Sequence, residues 1–253
     1  QMSVEQLADK PNVIHLTSGE FTGPAHFVRL WLETIDAWRR EKARSAIVGL
    51  ATPRDVQDAI LADERLAAMV DVIVIDFWRP QADGSTFSPP GGAHLAPRQW
   101  QRQARPGSVS ADATYHAVLE LRRRYGKPVV CKFDGSERFG WEILMAGGSL
   151  APLPCRLDKP FARDIVKMTP QGTTEGVRVL ADLGVSYVLY ADDPNRVSCT
   201  LPAAPAQMKA SWINAEDGVV VDAGIVSTVE GKIDLPVPPG RKPAILWLRR
   251  LEP

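Results

Sequence analysis

The chain predicts an α/β fold in which parallel βα units are followed by a small antiparallel β-sandwich. Three observations carry this. The early strand candidates are apolar on both faces instead of alternating, and helical patterns separate them, as in a parallel sheet covered on both sides. Past about residue 171 the period changes from 3.6 to short strands broken by Asp-Asp-Pro-Asn, Glu-Asp-Gly and Pro-Pro-Gly turns, the spacing of an antiparallel sandwich. The 253 residues are enough for two domains, placed at 1–171 and 172–253.

Residues 12–17 are the first strand candidate, ending in a carboxylate at Glu20 and passing through Gly23 and Pro24 into a helix over 25–42. In that helix Phe27, Leu30, Trp31, Ile35 and Trp38 are spaced for one buried face. A second strand at 45–51 leads to Thr52-Pro53, read as a helix start with Pro at the first helical position behind a capping hydroxyl. Residues 70–77, VDVIVIDF, are the strongest strand signal and end at Asp76, Phe77 and Trp78. A long loop rich in Gly, Pro and Gln follows over 79–110; loops of that length without secondary structure are usually functional or disordered. A helix over 111–125 precedes the strand KPVVCKF at 127–133, which exits at Asp134, with Glu137 close behind. A helix over 139–146 and a last short strand at 149–154 make five parallel strands in all. Five are too few for a closed eight-stranded barrel, so either the sheet is open or the first strands lie outside this chain.

Thirty basic and thirty acidic residues cancel, which argues against a nucleic-acid surface or a polybasic membrane patch and for a neutral or weakly charged partner. Cys131, Cys155 and Cys199 are odd in number and widely spaced, signalling neither a zinc site nor a disulfide framework. No run approaches the roughly 20 apolar residues of a membrane span, and QMSVEQLADK lacks a signal-peptide pattern.

The runs NVIHLTSGEFTGP, FVRLWLETIDAW, GGAHLAPRQ, KPVV and WEILMAGGSLAPLP together resemble the second half of TIM-barrel glycoside hydrolases related to the apiosidase-like enzymes. SYVLYADD, VSCTLP, ASWINAEDG and AILWLRR are similar to the β-sandwich that follows the barrel in those enzymes, often labelled collagen-binding. The resemblance implies the C-terminal half of a (β/α)8 barrel, strands four to eight, followed by the sandwich. It implies an enzyme cleaving plant or microbial polysaccharide or oligosaccharide with two carboxylates, without metal or cofactor, in a secreted or periplasmic location. Glu20 then falls where such enzymes keep their acid/base, and the second carboxylate belongs to the strand-seven exit, at Asp134 or Glu137. In a retaining enzyme two such carboxyls stand about 5 to 5.5 Å apart. Two departures stand out: Gly19 occupies the place of the Asn that normally precedes the acid, and KFD replaces the expected strand-seven Glu. They keep open an alternative, a non-catalytic carbohydrate-binding or structural protein on a degenerate barrel.

Each candidate also has an ordinary reading. Glu20 is placed to stabilise a helix dipole, and Asp134 before Gly135 is a common turn pair. Asp76, Trp78, His94, Arg98 and Trp141 are the candidate sugar contacts, with core packing the alternative for the tryptophans and solvent exposure for the loop residues. His15 reads as a core histidine, and His26 and His116 as ordinary helical residues. A metal-dependent site would need His and carboxylates converging at strand ends, and no His stands at one. A half barrel exposes apolar edges, so a partner is expected: a separate N-terminal half-barrel fragment or a second copy.

Overall fold

The computed structural model describes residues 7, 10, 12–17, 23–42, 45–92, 99, 102, 107–192 and 195–251. They divide into two compact units, 1–139 with 148–151, and 140–147 with 152–253.

In the first unit the elements run β1 (Ile14–Leu16), α1 (Ala25–Lys42), β2 (Ile47–Ala51), α2 (Arg54–Ala62), α3 (Glu64–Ala67), β3 (Val72–Ile75), β4 (Arg79–Pro80), β5 (Thr86–Phe87), α4 (Ala111–Tyr125) and β6 (Val129–Cys131). Strands β1-β2-β3-β6 form a parallel sheet in that order, with Ile14 opposite Ile47, Gly49 opposite Val72, and Ile73 opposite Val129. One face gathers Ala51, Val72, Val74, Phe77 and Val130, with Ile14, Leu16 and Ile47 packed against them. Gly49 belongs to this face, since a Cβ there would lie 2.6 Å from Leu16 Cδ2 and 3.0 Å from Ile14 Cγ2. The alternate residues Val48, Leu50, Ile73, Ile75 and Val129 are buried on the other face. There Gln57 of α2 donates from Nε2 to the carbonyls of Leu50 (3.2 Å) and Val74 (3.1 Å).

Local chemistry sets the helix ends. Asp63 accepts from Leu66 N–H, and Ser110 from Ala113 N–H, both at 3.1 Å. Gly126 closes α4 at φ +64°, a left-handed position that suits glycine. The start of α2 differs from expectation. Pro53 is the capping residue, no side chain caps it, and the Arg54 N–H goes instead to Ser88 Oγ across the chain at 2.9 Å. The buried stripe of α1 is Val28, Leu32, Ile35 and Trp38, whereas Phe27 and Leu30 are exposed. A shift of one position along an 18-residue helix turns the face by about 100°. The long loop also contains the unforeseen β4–β5 hairpin, pairing Arg79 with Phe87 and tied to the loop's far end by Ala82 N–H to Ser108 O, 2.8 Å.

The fifth parallel strand expected at 149–154 does not form. Ser149 N–H reaches Val129 O at 2.7 Å, but Leu150 adopts φ 53°, and Pro152 and Pro154 have no N–H to offer a ladder. The described parallel sheet has four strands.

The second unit begins with α5 (Gly140–Met145) and α6 (Lys159–Ile165). Strands β7 (Thr169–Thr174), β8 (Val177–Asp182), β9 (Ser186–Ala191), β10 (Arg196–Thr200), β11 (Gln207–Ile213), β12 (Val220–Ser227), β13 (Lys232–Pro236) and β14 (Ala244–Arg250) follow. Six form an antiparallel sheet, β12-β11-β14-β9-β8-β7, and β10 pairs with β13. The two sheets share an apolar core that includes Val179, Tyr187, Leu189, Val197, Cys199 and Leu246. The near-alternation read from the sequence is not what the six-stranded sheet shows: β8, β9 and the first five residues of β14 are buried at almost every position. Its second face is closed as well. Phe161 of α6 meets Trp247 edge-on at 5.3 Å and Trp141 of α5 at 6.1 Å, while the Tyr190 hydroxyl donates to the buried Glu142 of α5.

Candidate functional site

The C-terminal edge of a parallel sheet is where α/β folds gather their chemistry, because every strand exit opens into a loop there. In this sheet Ile75 stands opposite Cys131, and Lys132 N–H donates to Ile75 O at 2.8 Å. The next pair outward is therefore Asp76 with Lys132, and their side chains meet, Lys132 Nζ to Asp76 Oδ2, at 3.5 Å. Alternation puts both on the face of Val74 and Val130. Asp76 is the more sheltered partner, 22% exposed against 56% for Lys132.

Asp134 follows two residues beyond Lys132 and is exposed. Gly135 at φ +88° turns the chain into the 3-10 turn Ser136–Phe139, which carries Glu137 outward, also exposed. At the exit of β1, Thr17 is buried and donates from Oγ1 to Ala51 O at 2.7 Å, fastening the exits of β1 and β2 together. Glu20, His94 and Arg98 lie outside the described residues. The geometry thus joins Asp76 to Lys132, with Asp134 next along the same strand exit.

Lys132 escaped the sequence reading. The signal was present in KPVVCKFDG, where Val130, Lys132 and Asp134 alternate onto one face. Beside it, burial pushes the Cys131 thiol up to about 12, which keeps it protonated and unsuited to nucleophilic attack near neutral pH. His15 is half-buried; burial, then the Arg39 charge, lowers its pKa below the ordinary value.

Trp78 is buried at 1% exposure. Its indole N–H donates to Gln57 Oε1 at 3.1 Å, and the Arg54 guanidinium lies 4.6 Å from its ring centre. It borders a cavity of about 660 Å³ between α2, α4 and the β4–β5 hairpin, whose lining includes Asp58, Asp112, His116 and Glu120. Arg54 pairs there with Asp58 at 2.9 Å and Glu120 at 3.3 Å. Trp141 belongs to the second unit, where its indole N–H donates to Ala215 O at 2.9 Å. Among the described residues no group of three or more His, Cys, Asp and Glu is arranged to hold a metal. No described helix is long and apolar enough to cross a membrane.

Solved glycoside hydrolases share this fold. One is 12% identical, with a TM-score of 0.59 over 98% of this chain and 67% of its own. Another, a family 5 glycoside hydrolase from Bacteroides vulgatus, is 11% identical, with a TM-score of 0.63 over 98% of this chain and 64% of its own. The chain therefore spans about two thirds of the length of these structures, and identities this low establish the fold alone. Residues 1–168 match the model of a domain of unknown function, DUF6298, and the chain belongs to that family. No curated protein matches it. The family shown is thus DUF6298, and neither it nor these structures support a closer kinship with apiosidase-like enzymes.

Proposed function

We propose that the chain is a glycoside hydrolase, or the C-terminal part of one, of the kind its motifs resemble, acting on a plant or microbial polysaccharide or oligosaccharide. The observation that carries this reading is the pairing of Asp76 with Lys132 at the C-terminal edge of the parallel sheet, one strand exit from which also bears Asp134. A carboxylate, a lysine side chain and a second carboxylate on neighbouring exits suit a polyhydroxylated ligand. In the proposed mechanism Glu20 is the acid that protonates the leaving oxygen, and Asp134 or Glu137 is the second carboxylate. Asp76, His94 and Arg98 hold the sugar, whereas Trp78 and Trp141, expected as aromatic contacts, are buried and hydrogen-bonded within the fold and are not free to stack on it. The four parallel strands of the first unit would be completed to a barrel by an N-terminal half-barrel polypeptide or a second copy, in a secreted or periplasmic setting.

The test is reducing-sugar release from a panel of plant and microbial polysaccharides by the wild type, Glu20→Gln and Asp134→Asn. Removing a general acid is expected to slow turnover about 100-fold or more; unchanged turnover in both variants overturns the reading. Saturable glycan binding with no release by the wild type is the result expected of a non-catalytic carbohydrate-binding protein, which Gly19 in place of the usual Asn favours.

A further inference from the structure

The six-stranded sheet of the second unit has two edges, β7 and β12, and they are built differently. Strand β7, TPQGTT, is polar, carries Pro170 with no N–H to offer, and is bent by a bulge between Pro170 and Gly172. Such devices keep an edge from taking on another strand. Strand β12 and the residues flanking it carry Val219, Val221, Ile225 and Val229, all exposed. It contains no Pro or Lys, and among the described residues it pairs only with β11.

Two of those side chains belong to the inside of the sandwich. Val221 stands opposite Trp212, so the two share a face, and Trp212 is part of the core. Yet Val221 is 45% exposed and Trp212 only 5%. The two sheets are unequal: β10 and β13 supply two strands against six, too narrow a cover to reach the start of β12. Val219, two residues back, falls on the same face by alternation. A short extended segment laid along β12 would pair with the ladder groups that β11 does not use and cover Val219 and Val221 with its own alternate side chains. The bulge at Ala223, which has no opposite residue on β11, confines the straight run to the residues before it and keeps that segment short.

The charges define the kind of segment. Residues 214–230 include Glu216, Asp217, Asp222 and Glu230 and no Lys, Arg or His. Asp222 is matched within the sheet by Lys209 at 3.1 Å, and Asp217 Oδ1 accepts from Val219 N–H at 2.9 Å. Glu216 and Glu230 are exposed beyond the two ends of β12. They are equidistant from Ala223 in the sequence, so a second copy pairing antiparallel about that residue would set one glutamate against the other. Like charges oppose self-pairing, and the same carboxylates favour a partner whose ends are basic.

We infer that β12 is the docking edge for a short extended segment of another polypeptide, rich in β-branched residues and flanked by Lys or Arg. The inference concerns the second unit alone and stands whether or not the chain hydrolyses glycans. It is tested by fluorescence anisotropy of the labelled peptide Lys-Val-Thr-Val-Thr-Lys with the full chain at low salt. Saturable binding is expected, with about ten-fold weaker binding of Glu-Val-Thr-Val-Thr-Glu and none of Lys-Pro-Thr-Pro-Thr-Lys, whose prolines lack ladder donors. Val221→Lys, an exposed change, should weaken binding about five-fold or more by removing apolar surface and opposing the peptide's charge. Glu216→Gln combined with Glu230→Gln should weaken it roughly two- to five-fold. Absence of saturable binding, equal binding of the proline peptide, or undiminished affinity in a folded Val221→Lys variant overturns the inference. If Val221→Lys does not fold, unaltered affinity in the double glutamine variant does so. Equal binding of the Glu-flanked peptide overturns the assignment of basic flanks. Self-association of the chain that Val221→Lys abolishes and the peptide leaves intact gives the edge to a second copy and overturns the inference as well.

Discussion

Tyr190 shows how much can rest on one hydroxyl. Its O–H donates to the buried Glu142 and lies 3.1 Å from Asp192 Oδ1, and Arg178 pairs with that same Asp192 at 3.3 Å while lying over the phenol ring. Burial first, and then the neighbouring Glu142 and Asp192 carboxylates, push the phenol well above its ordinary range, so it stays a donor. Tyr190→Phe keeps the ring and strips the donor, leaving a carboxylate that is only 6% exposed without that bond. The expected cost is about 1–3 kcal/mol, read as a lower urea midpoint with an unchanged slope; an unmoved midpoint would count against the role. Glu142 was not legible in the sequence, because WEILM reads as one apolar helix turn and the partner that makes a buried carboxylate tolerable lies 48 residues on. Asp76 was legible as a strand-end acid, but its pairing with Lys132 needed the register between β3 and β6, which no local pattern supplies.

Among the elements, helix α5 is the one whose place depends most on a residue type. A Cβ on Gly140 would lie 2.1 Å from Pro152 O and 2.8 Å from Pro152 C, and a backbone cannot swing aside as a side chain can. Gly140→Ala is expected to destabilise the second unit by about 1–3 kcal/mol through overpacking, seen as a lower thermal midpoint; wild-type stability would show that the helix start has room to move. Elements with strong local signals were read from the sequence closely. Helix α1 and helix α4 occupy the expected residues, and every expected parallel strand before 149 is present. What escaped is what tertiary structure decides. The prolines at 152 and 154 outweighed the apolar character of 149–154. Strand β7, TPQGTT, carries almost no apolar signal and exists because β8 offers it a ladder. The near-complete burial of β8, β9 and the first five residues of β14 follows from α5 and α6 covering the sheet's second face, which the strands' own pattern does not announce.

At the scale of the whole molecule, the question is what covers the first unit's open side. Strand β1 pairs only with β2 in the described sheet, and three residues of ladder edge beside it carry half-buried Ile14 and Leu16. On the helix that follows, Leu30 is 62% exposed although it falls within a strongly amphipathic segment. An edge strand without a second partner among the described residues and an exposed leucine on the next helix each invite a further element, and burying one leucine contributes about 1.5–3 kcal/mol. The proposed completion by a half-barrel fragment or a second copy therefore has a direct reading in sedimentation equilibrium. The purified chain, 27.7 kDa, is expected to sediment as a heavier species at micromolar concentration, or to form one on addition of an N-terminal half-barrel polypeptide. Leu30→Glu places a charge on that surface without touching the buried stripe of Val28, Leu32, Ile35 and Trp38, so it should shift the species toward 27.7 kDa while leaving the circular dichroism spectrum intact. A wild type that stays a 27.7 kDa monomer with and without the added polypeptide would mean that the edge is tolerated bare, and the completed barrel would have to be given up.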